Sequence, residues 1–278
     1  MPTLNIIGAG RVGKTLGNLI VANRVLDIGQ VYDRDASSAI AAVEFIGAGQ
    51  PVDDLSLTEP ADIWLLSVPD MQISEVARAL ACRCKNDDSS IAVHCSGALE
   101  SETLAPLRAV NWSVASAHPV LSFADPGTAV FQFEGTPVGI EGDQEARDTW
   151  RDTLSAVGAR CFEIHPGSKT LYHSAAVVAS NFLPVLAALS SELWRNSGLP
   201  EALTLDMLRA LIRNSVDNVL TLGPREALTG PASRGDNAVV ESQARAIGAW
   251  DPACSEAYEA LSILAGRLSR LGTVRAHP

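Results

Sequence analysis

The run Gly8-Ala9-Gly10-Arg11-Val12-Gly13 constrains this chain more than any other feature, because of what stands on either side of it. The apolar stretch Leu4–Ile7 precedes it and a helical period over Val12–Ala22 follows. Each glycine has a physical reason at that spacing. Gly8 permits a tight turn, Gly10 removes a side chain where backbone must approach a pyrophosphate, and Gly13 lets the helix pack closely on the strand. The helix N-terminus then offers unpaired amides and the positive end of its dipole to the phosphates. Twenty residues beyond Gly13, Asp33 ends the next apolar run, where a carboxylate meets the hydroxyls of an adenosine ribose. The competing reading, a tight turn in some other doubly wound domain, explains the glycines but not the acid. Gly8, Ala9, Gly10, Arg11, Val12, Gly13 and Asp33 are therefore the expected cofactor contacts. Arg34, with Arg11, suits a 2′-phosphate, whereas Asp33 repels one, so NAD and NADP both stay open.

The remainder of residues 1–165 repeats short apolar run, turn and helical stretch, the rhythm of a parallel sheet. Strands are predicted at Leu4–Ile7, Gly29–Tyr32, Ile63–Val68, Ile91–His94, Val114–Ala117, Pro137–Ile140 and Arg160–Ile164, with helices at Val12–Ala22, Ser37–Phe45, Ile73–Ala81 and Gln144–Val157. After Pro166-Gly167 only helical periods remain, over about 169–196, 203–222, 236–248 and 253–271, with breaks at Gly198-Leu199-Pro200, Gly223-Pro224 and Gly230-Pro231. The expected fold class is α/β: a doubly wound parallel-sheet domain over 1–165, then an all-α domain over 166–278. Ala175–Leu189 is apolar around nearly its whole circumference, which predicts a helix enclosed on all sides and kinked at Pro184.

Charge and cysteine use remove several function classes. The net charge of −11 arises wholly in residues 1–165, where 11 Lys/Arg face 22 Asp/Glu; residues 166–278 carry 10 of each. A nucleic-acid-binding surface would show a basic stripe, so nucleic acid is not an expected partner. No stretch reaches about 18 uninterrupted apolar residues, and the chain opens directly into Leu4-Asn5-Ile6-Ile7 with neither a basic segment nor a cleavage site. A cytoplasmic protein with no membrane span is expected. The five cysteines lack metal-ligand spacing, so no metal site is expected, and reduced thiols fit the same compartment.

Ligands of open α/β sheets sit beyond the carboxyl ends of the strands. There stand Ser67-Val68-Pro69-Asp70, His94-Cys95-Ser96-Gly97-Ala98 and His118-Pro119. Ser67, Val68 and Pro69 are expected to flank the nicotinamide half of the cofactor. Ser96 and Gly97 permit close approach of a substrate. His94 and His118 are each suited either to bond a substrate carbonyl or carboxylate, or to hold a loop in shape. Cys95 has no activating base in view and is not a candidate nucleophile. Of three lysines, Lys14 and Lys85 fall where solvated side chains are expected. Lys169 follows Ser168, an expected helix cap, and its position in the first turn opposes the helix dipole by about 0.3–1 kcal/mol. A helical stripe then joins Lys169, Tyr172, His173, Ala176 and Ser180, with Asn181 beside it. Lys169 is the proposed acid/base, and His173 orients the substrate or shares the proton; the alternative is a surface ion pair for Lys169 and core hydrogen bonds for His173 and Asn181. Arg234, on the loop Thr229-Gly230-Pro231-Ala232-Ser233-Arg234-Gly235-Asp236, either clamps a substrate carboxylate or locks that loop against Asp236, a candidate cap.

Taken together, these motifs resemble the family of Rossmann-like proteins bearing a helical C-terminal domain of unknown function, labelled predicted NADP oxidoreductase and sometimes deazaflavin-dependent. The likeness runs through nearly the whole chain. It is more distantly similar to ketopantoate reductase, pyrroline-carboxylate reductase and the 6-phosphogluconate and β-hydroxyacid dehydrogenases. Several of those place a lysine and an asparagine four residues apart on the first helix after the nucleotide domain; here the pair reads Lys169 and His173, so the lysine transfers and the asparagine does not, unless Asn181 substitutes. The resemblance also implies a homodimer formed through the helical domains. The resulting expectation is an NAD(P)-dependent oxidoreductase moving hydride to or from a small keto, hydroxy or imino compound in an interdomain cleft. The alternatives are a nucleotide-sensing protein without catalysis and a deazaflavin-linked NADP oxidoreductase.

Overall fold

The computed structural model describes residues 1–84 and 89–276; the expectation for Lys85 lies outside the described residues. Two compact units form, Met1–Ser180 and Asn181–Pro278, so the expected division after residue 165 falls within the first.

The first unit is constructed on β1 (Thr3–Ile7), β2 (Asp27–Tyr32), β3 (Gln50–Val52), β4 (Ile63–Leu66), β5 (Ile91–His94), β6 (Ser113–Pro119), β7 (Pro137–Gly142) and β8 (Arg160–Glu163). They form one sheet of order β3-β2-β1-β4-β5-β6-β7-β8. Helices α1 (Arg11–Ala22), α2 (Ala36–Ile46), α3 (Asp70–Ala81), α4 (Ala105–Arg108), α5 (Pro126–Gln132) and α6 (Gln144–Ala156) connect them. Successive strand residues face opposite layers. Ile6 and Leu65 join the core that holds Leu16, Phe133 and Trp150, while Ile7, Trp64 and Leu66 join the one that holds Leu80, Leu104 and Trp112. Each such aliphatic side chain contributes roughly 1.5–3 kcal/mol by leaving water.

Two sheet features depart from the sequence reading. β3 is short, contains Pro51 and lacks an apolar run, so it leaves no strand signal. β7 runs antiparallel to β6, with His118 opposite Gly139, although the rhythm predicts parallel strands throughout. A parallel return needs a crossover of a dozen or more residues across one face of the sheet. The connection into β7, residues 120–136, has that length, but its seven-residue α5 packs on α1 and the chain re-enters the sheet at the end where β6 leaves it, Pro119 lying opposite Val138.

After β8 the chain forms α7 (Lys169–Ala176), a π-helical turn (Val177–Asn181) and α8 (Phe182–Asn196). Ser168 stands at the start of α7 but does not cap it, because its hydroxyl donates to the His165 carbonyl at 2.7 Å. Pro184, where a kink is predicted, lies in the first turn of α8, with the π turn just before it.

The second unit holds α8, α9 (Glu201–Leu222), α10 (Pro224–Ala227), α11 (Pro231–Arg234), α12 (Asn237–Trp250) and α13 (Pro252–Leu271), broken where the glycines and prolines predict. One expectation fails: Val178, Phe182, Leu183, Val185 and Leu186 are exposed, so this chain alone does not enclose the apolar helix. Among the described residues, Lys169–Asn196 is also the one helix long and apolar enough, at mean hydropathy 1.5, to cross a membrane. The uninterrupted-run criterion misses it because serines and Asn181 punctuate the segment.

Candidate active site

β1, β4, β5 and β6 end side by side, which brings their following loops to one edge of the sheet. At β1 the glycine loop behaves in three different ways. Gly8 has φ +103°, and a Cβ there would sit 2.7 Å from the Ser67 carbonyl. A Cβ on Gly13 would sit 2.6 Å from Ser67 Oγ and also strike the Gly8 carbonyl. Both glycines are required by the fold itself. Gly10 is not: a Cβ there meets no protein atom within 4 Å. Its missing side chain keeps a cradle open in front of α1, whose first turn has no side-chain cap over its amides. Asp33 closes the loop from the other side, its Oδ2 accepting the Ala9 amide at 2.8 Å and its Oδ1 the Asp35 amide at 3.0 Å.

A cavity of about 430 Å³ follows this loop, lined by Gly8, Gly10, Asp33, Arg34, Val68 and Pro69 among others. A second, of about 250 Å³, is lined by Val12, Ser96, Gly97, His118 and His173. Ser67 and Val68 line both, so they form one groove from Asp33 to the histidines. Arg34 is exposed on that groove; Arg11 is exposed beside the Asp125 carboxylate, outside both linings. The residues present fit a dinucleotide: an acid at the ribose end, bare amides and a cradle at the centre, and polar side chains at the far end.

At that far end α7 sets three residues of one stripe against the sheet. Lys169 is 1% exposed. Its Nζ donates to the Ser96 carbonyl at 2.6 Å, to the Leu99 carbonyl at 2.5 Å and to the Ser116 hydroxyl. Glu141 lies 3.9 Å away, itself held by the Ser101 amide and hydroxyl at 2.7 Å each. Burial pushes the Lys169 amine down to about 8, opposed first by Glu141 and then by Cys95, Asp70 and Glu100. An ammonium has three hydrogens, and all three are spent. Lys169 is thus not the surface ion pair that the sequence also allowed but a buried post under the Ser96–Leu99 turn, its amine lowered by burial in the direction expected of an acid/base.

Tyr172 comes next, its hydroxyl 2.9 Å from His118 Nδ1. It sits over Gly139, where a Cβ would be 3.0 Å from the phenol oxygen. His173 follows, and a Cβ on Gly97 would collide with its Nδ1 and lie 2.8 Å from His118 Nε2. The His118 and His173 rings stand edge to face at 88°, centroids 5.2 Å apart. His173 Nδ1 is buried and has no hydrogen-bond partner among the described residues. Burial, and after it the neighbouring His173 and Lys169, push His118 down to about 4.

His94 belongs to the frame rather than to the groove. It is 0% exposed; its Nδ1 accepts the Ser96 amide at 3.1 Å, so a neutral ring carries its hydrogen on Nε2, 3.1 Å from the Glu100 carbonyl. Burial, followed by the Lys169 charge, pushes it down to about 3. No nitrogen is left for a substrate, contrary to the expectation of a contact. Ser96 lines the groove, but its Oγ accepts the Ala98 and Leu99 amides at 3.2 and 2.9 Å and so staples the turn. Burial raises the Cys95 thiol to about 12, in line with its exclusion as a nucleophile. Arg234 is exposed and paired with Asp236 at 3.0 Å, the loop-locking arrangement, and Asp236 does not cap α12 with its side chain. Asn181 is exposed at the start of the second unit.

Ser116, Glu141, Gly139 and Tyr172 complete the site without having been candidates. Tyr172 alone left a signal, its place on the helical stripe; the other three act through strand register.

This is the nucleotide-binding arrangement of the Rossmann-like proteins. Residues 2–119 match the family described as Rossmann-like domain, and residues 136–264 match the family described as domain of unknown function (DUF2520). The chain thus carries a Rossmann-like domain followed by that domain of unknown function. Among solved structures it is similar to protein TM1727 from Thermotoga maritima, at 28% identity and TM-score 0.72 over 96% of this chain and 98% of that one. It is also similar to the "putative NADP oxidoreductase BF3122" from Bacteroides fragilis, at 24% identity and TM-score 0.77 over the same shares. A pyrroline-5-carboxylate reductase from Coxiella burnetii shares the fold at 14% identity and TM-score 0.54, over 94% of this chain and 97% of that one. No curated protein matches the sequence.

Proposed function

We propose that this protein is a nicotinamide-dinucleotide-dependent oxidoreductase that moves hydride to or from a small keto, hydroxy or imino compound. One observation carries the reading: Gly10 opens a cradle that no protein atom needs, in a groove running from a ribose-type acid to two histidines. The Gly10–Gly13 segment would hold the pyrophosphate, Asp33 the adenosine ribose, and Ser67, Val68 and Pro69 the path to the nicotinamide. When bound, the nicotinamide supplies the hydride donor or acceptor. The residues beyond it, Gly97, His118 and His173, would meet the substrate.

NADP is the favoured form. Arg34 lies exposed on the groove beside Asp33 and is in no ion pair among the described residues. A guanidinium in that position matches a 2′-phosphate. The exposed apolar face of α8 and α9, with Val185, Leu186, Leu211 and Leu220, supports a homodimer in which a second copy covers it.

Fluorescence titration with NADPH and NADH tests the cofactor reading. Gly10→Val is expected to melt with the wild type and to weaken NADPH binding at least about tenfold, roughly 1.4 kcal/mol. Arg34→Ala is expected to weaken NADPH and leave NADH unchanged. A wild-type protein that binds neither nucleotide at millimolar concentration would end the proposal, and equal affinities for both would end the NADP preference.

A further inference from the structure

Resting on that oxidoreductase reading, we propose that His118 and His173 divide the proton work at the reacting carbon, with Tyr172 as the residue that positions His118. His118 Nε2–H donates a hydrogen bond to the substrate oxygen or nitrogen. His173 Nδ1 takes the proton from the same atom.

The assignment starts from Tyr172. A phenol has one hydrogen to give, and among the described residues the only hydrogen-bonding atom shown for this hydroxyl is His118 Nδ1, at 2.9 Å. The phenol keeps its hydrogen at neutral pH, and with no other acceptor shown for it among the described residues we assign that hydrogen to Nδ1. An imidazole that accepts at Nδ1 and is held neutral carries its own hydrogen on Nε2. That nitrogen faces the space over Gly97.

From the other wall His173 Nδ1 reaches the same space. The edge-to-face rings make no hydrogen bond to each other. An unpartnered buried nitrogen costs the fold free energy that a ligand returns. With His173 assigned the tautomer that leaves Nδ1 bare, one donor and one acceptor line the same cavity of about 250 Å³, brought together because residue 97 has no side chain to hold the two rings apart. The atom that satisfies both nitrogens gives a hydrogen and accepts one, as does the oxygen of a secondary alcohol or the nitrogen of a neutral amine.

The chemistry balances in that frame. In the oxidative direction the carbon loses its hydrogen with the bonding pair to the bound nicotinamide. The carbon–oxygen or carbon–nitrogen bond becomes double, and the O–H or N–H proton passes to His173 Nδ1. Reduction runs the same transfers backward. Lys169 takes no part in them, since its hydrogens hold the turn that carries Gly97.

The test uses the full chain labelled with 15N-histidine. Long-range proton–nitrogen spectra at neutral pH are expected to show a pyridine-like Nδ1 and pyrrole-like Nε2 for His118, and a pyridine-like Nδ1 for His173. In Tyr172→Phe, His118 becomes a tautomer mixture, while NADPH affinity stays within about twofold of wild type. With a small secondary alcohol or amine that the wild type oxidises, His173→Asn is expected to lose at least about 100-fold in kcat with little change in KM. A proton on His118 Nδ1 in the wild type, a Tyr172→Phe spectrum identical to wild type, or a fully active His173→Asn enzyme would each overturn the proposal. Failure of the wild type to bind NADPH would instead strike the cofactor reading.

Discussion

His94 has both ring nitrogens committed to the main chain, which makes it a source of acid sensitivity. Its folded value of about 3 lies below the ordinary 6.5, so the unfolded chain binds the proton more readily. The stability it contributes is complete above pH 6.5 and is lost as the pH falls from there toward 3, by up to about 1.4 kcal/mol per pH unit. His118, down at about 4, adds to the same slope over the upper part of that window. Urea midpoints at pH 7, 6 and 5 are expected to fall steadily for the wild type. His94→Asn keeps an acceptor for the Ser96 amide but strands the Glu100 carbonyl, so it is expected to be less stable at pH 7 and flatter toward pH 5; equal slopes would refute the assignment. At this scale the glycines of the first loop were legible in the sequence because their spacing between a strand and a helix is itself the signal, although Ser67 from another strand supplies part of the crowding. The duties of His94 and Lys169 were not, because their partners come from other strands and turns.

α7 docks by a simple geometric device: a three-and-four spacing puts Lys169, Tyr172 and His173 on one face, and the sheet edge receives them. Lys169 enters among carbonyls, while Gly139 and Gly97 leave room for the two rings. Removing the ammonium strands the Ser96 and Leu99 carbonyls, a loss of roughly 2–4 kcal/mol. Lys169→Met is accordingly expected to lower the melting temperature clearly, and added alkylamines should not restore its turnover, as they would for a lysine that handles the substrate proton directly. Gly139→Ala is expected to push Tyr172 off its seat and reproduce the Tyr172→Phe histidine spectrum without the phenol being touched. The stripe was readable from spacing. What it faces was not, since Gly139 comes opposite His118 only because β7 runs antiparallel to β6.

Across the whole molecule, the contrast lies in where apolar surface ends up. The sheet unit gathers most of its large apolar side chains into two buried layers and exposes a few, such as Met71 and Phe131, whereas α8 and α9 leave Phe182, Val185, Leu211 and Leu220 exposed. Light scattering on the full chain is expected to give twice the mass of one chain, and Val185→Asp to give the monomer; a monomeric wild type would remove the dimer. The sequence by itself determined the strand–helix alternation, the helical second half, the nucleotide loop and its acid, because hydrophobic period and glycine geometry act over a few residues. Only the tertiary structure decided the direction of β7, the burial of Lys169 and which histidine faces the groove. A polar side chain's role depends on the partners that meet it, and here those partners are brought together by strand order across the sheet.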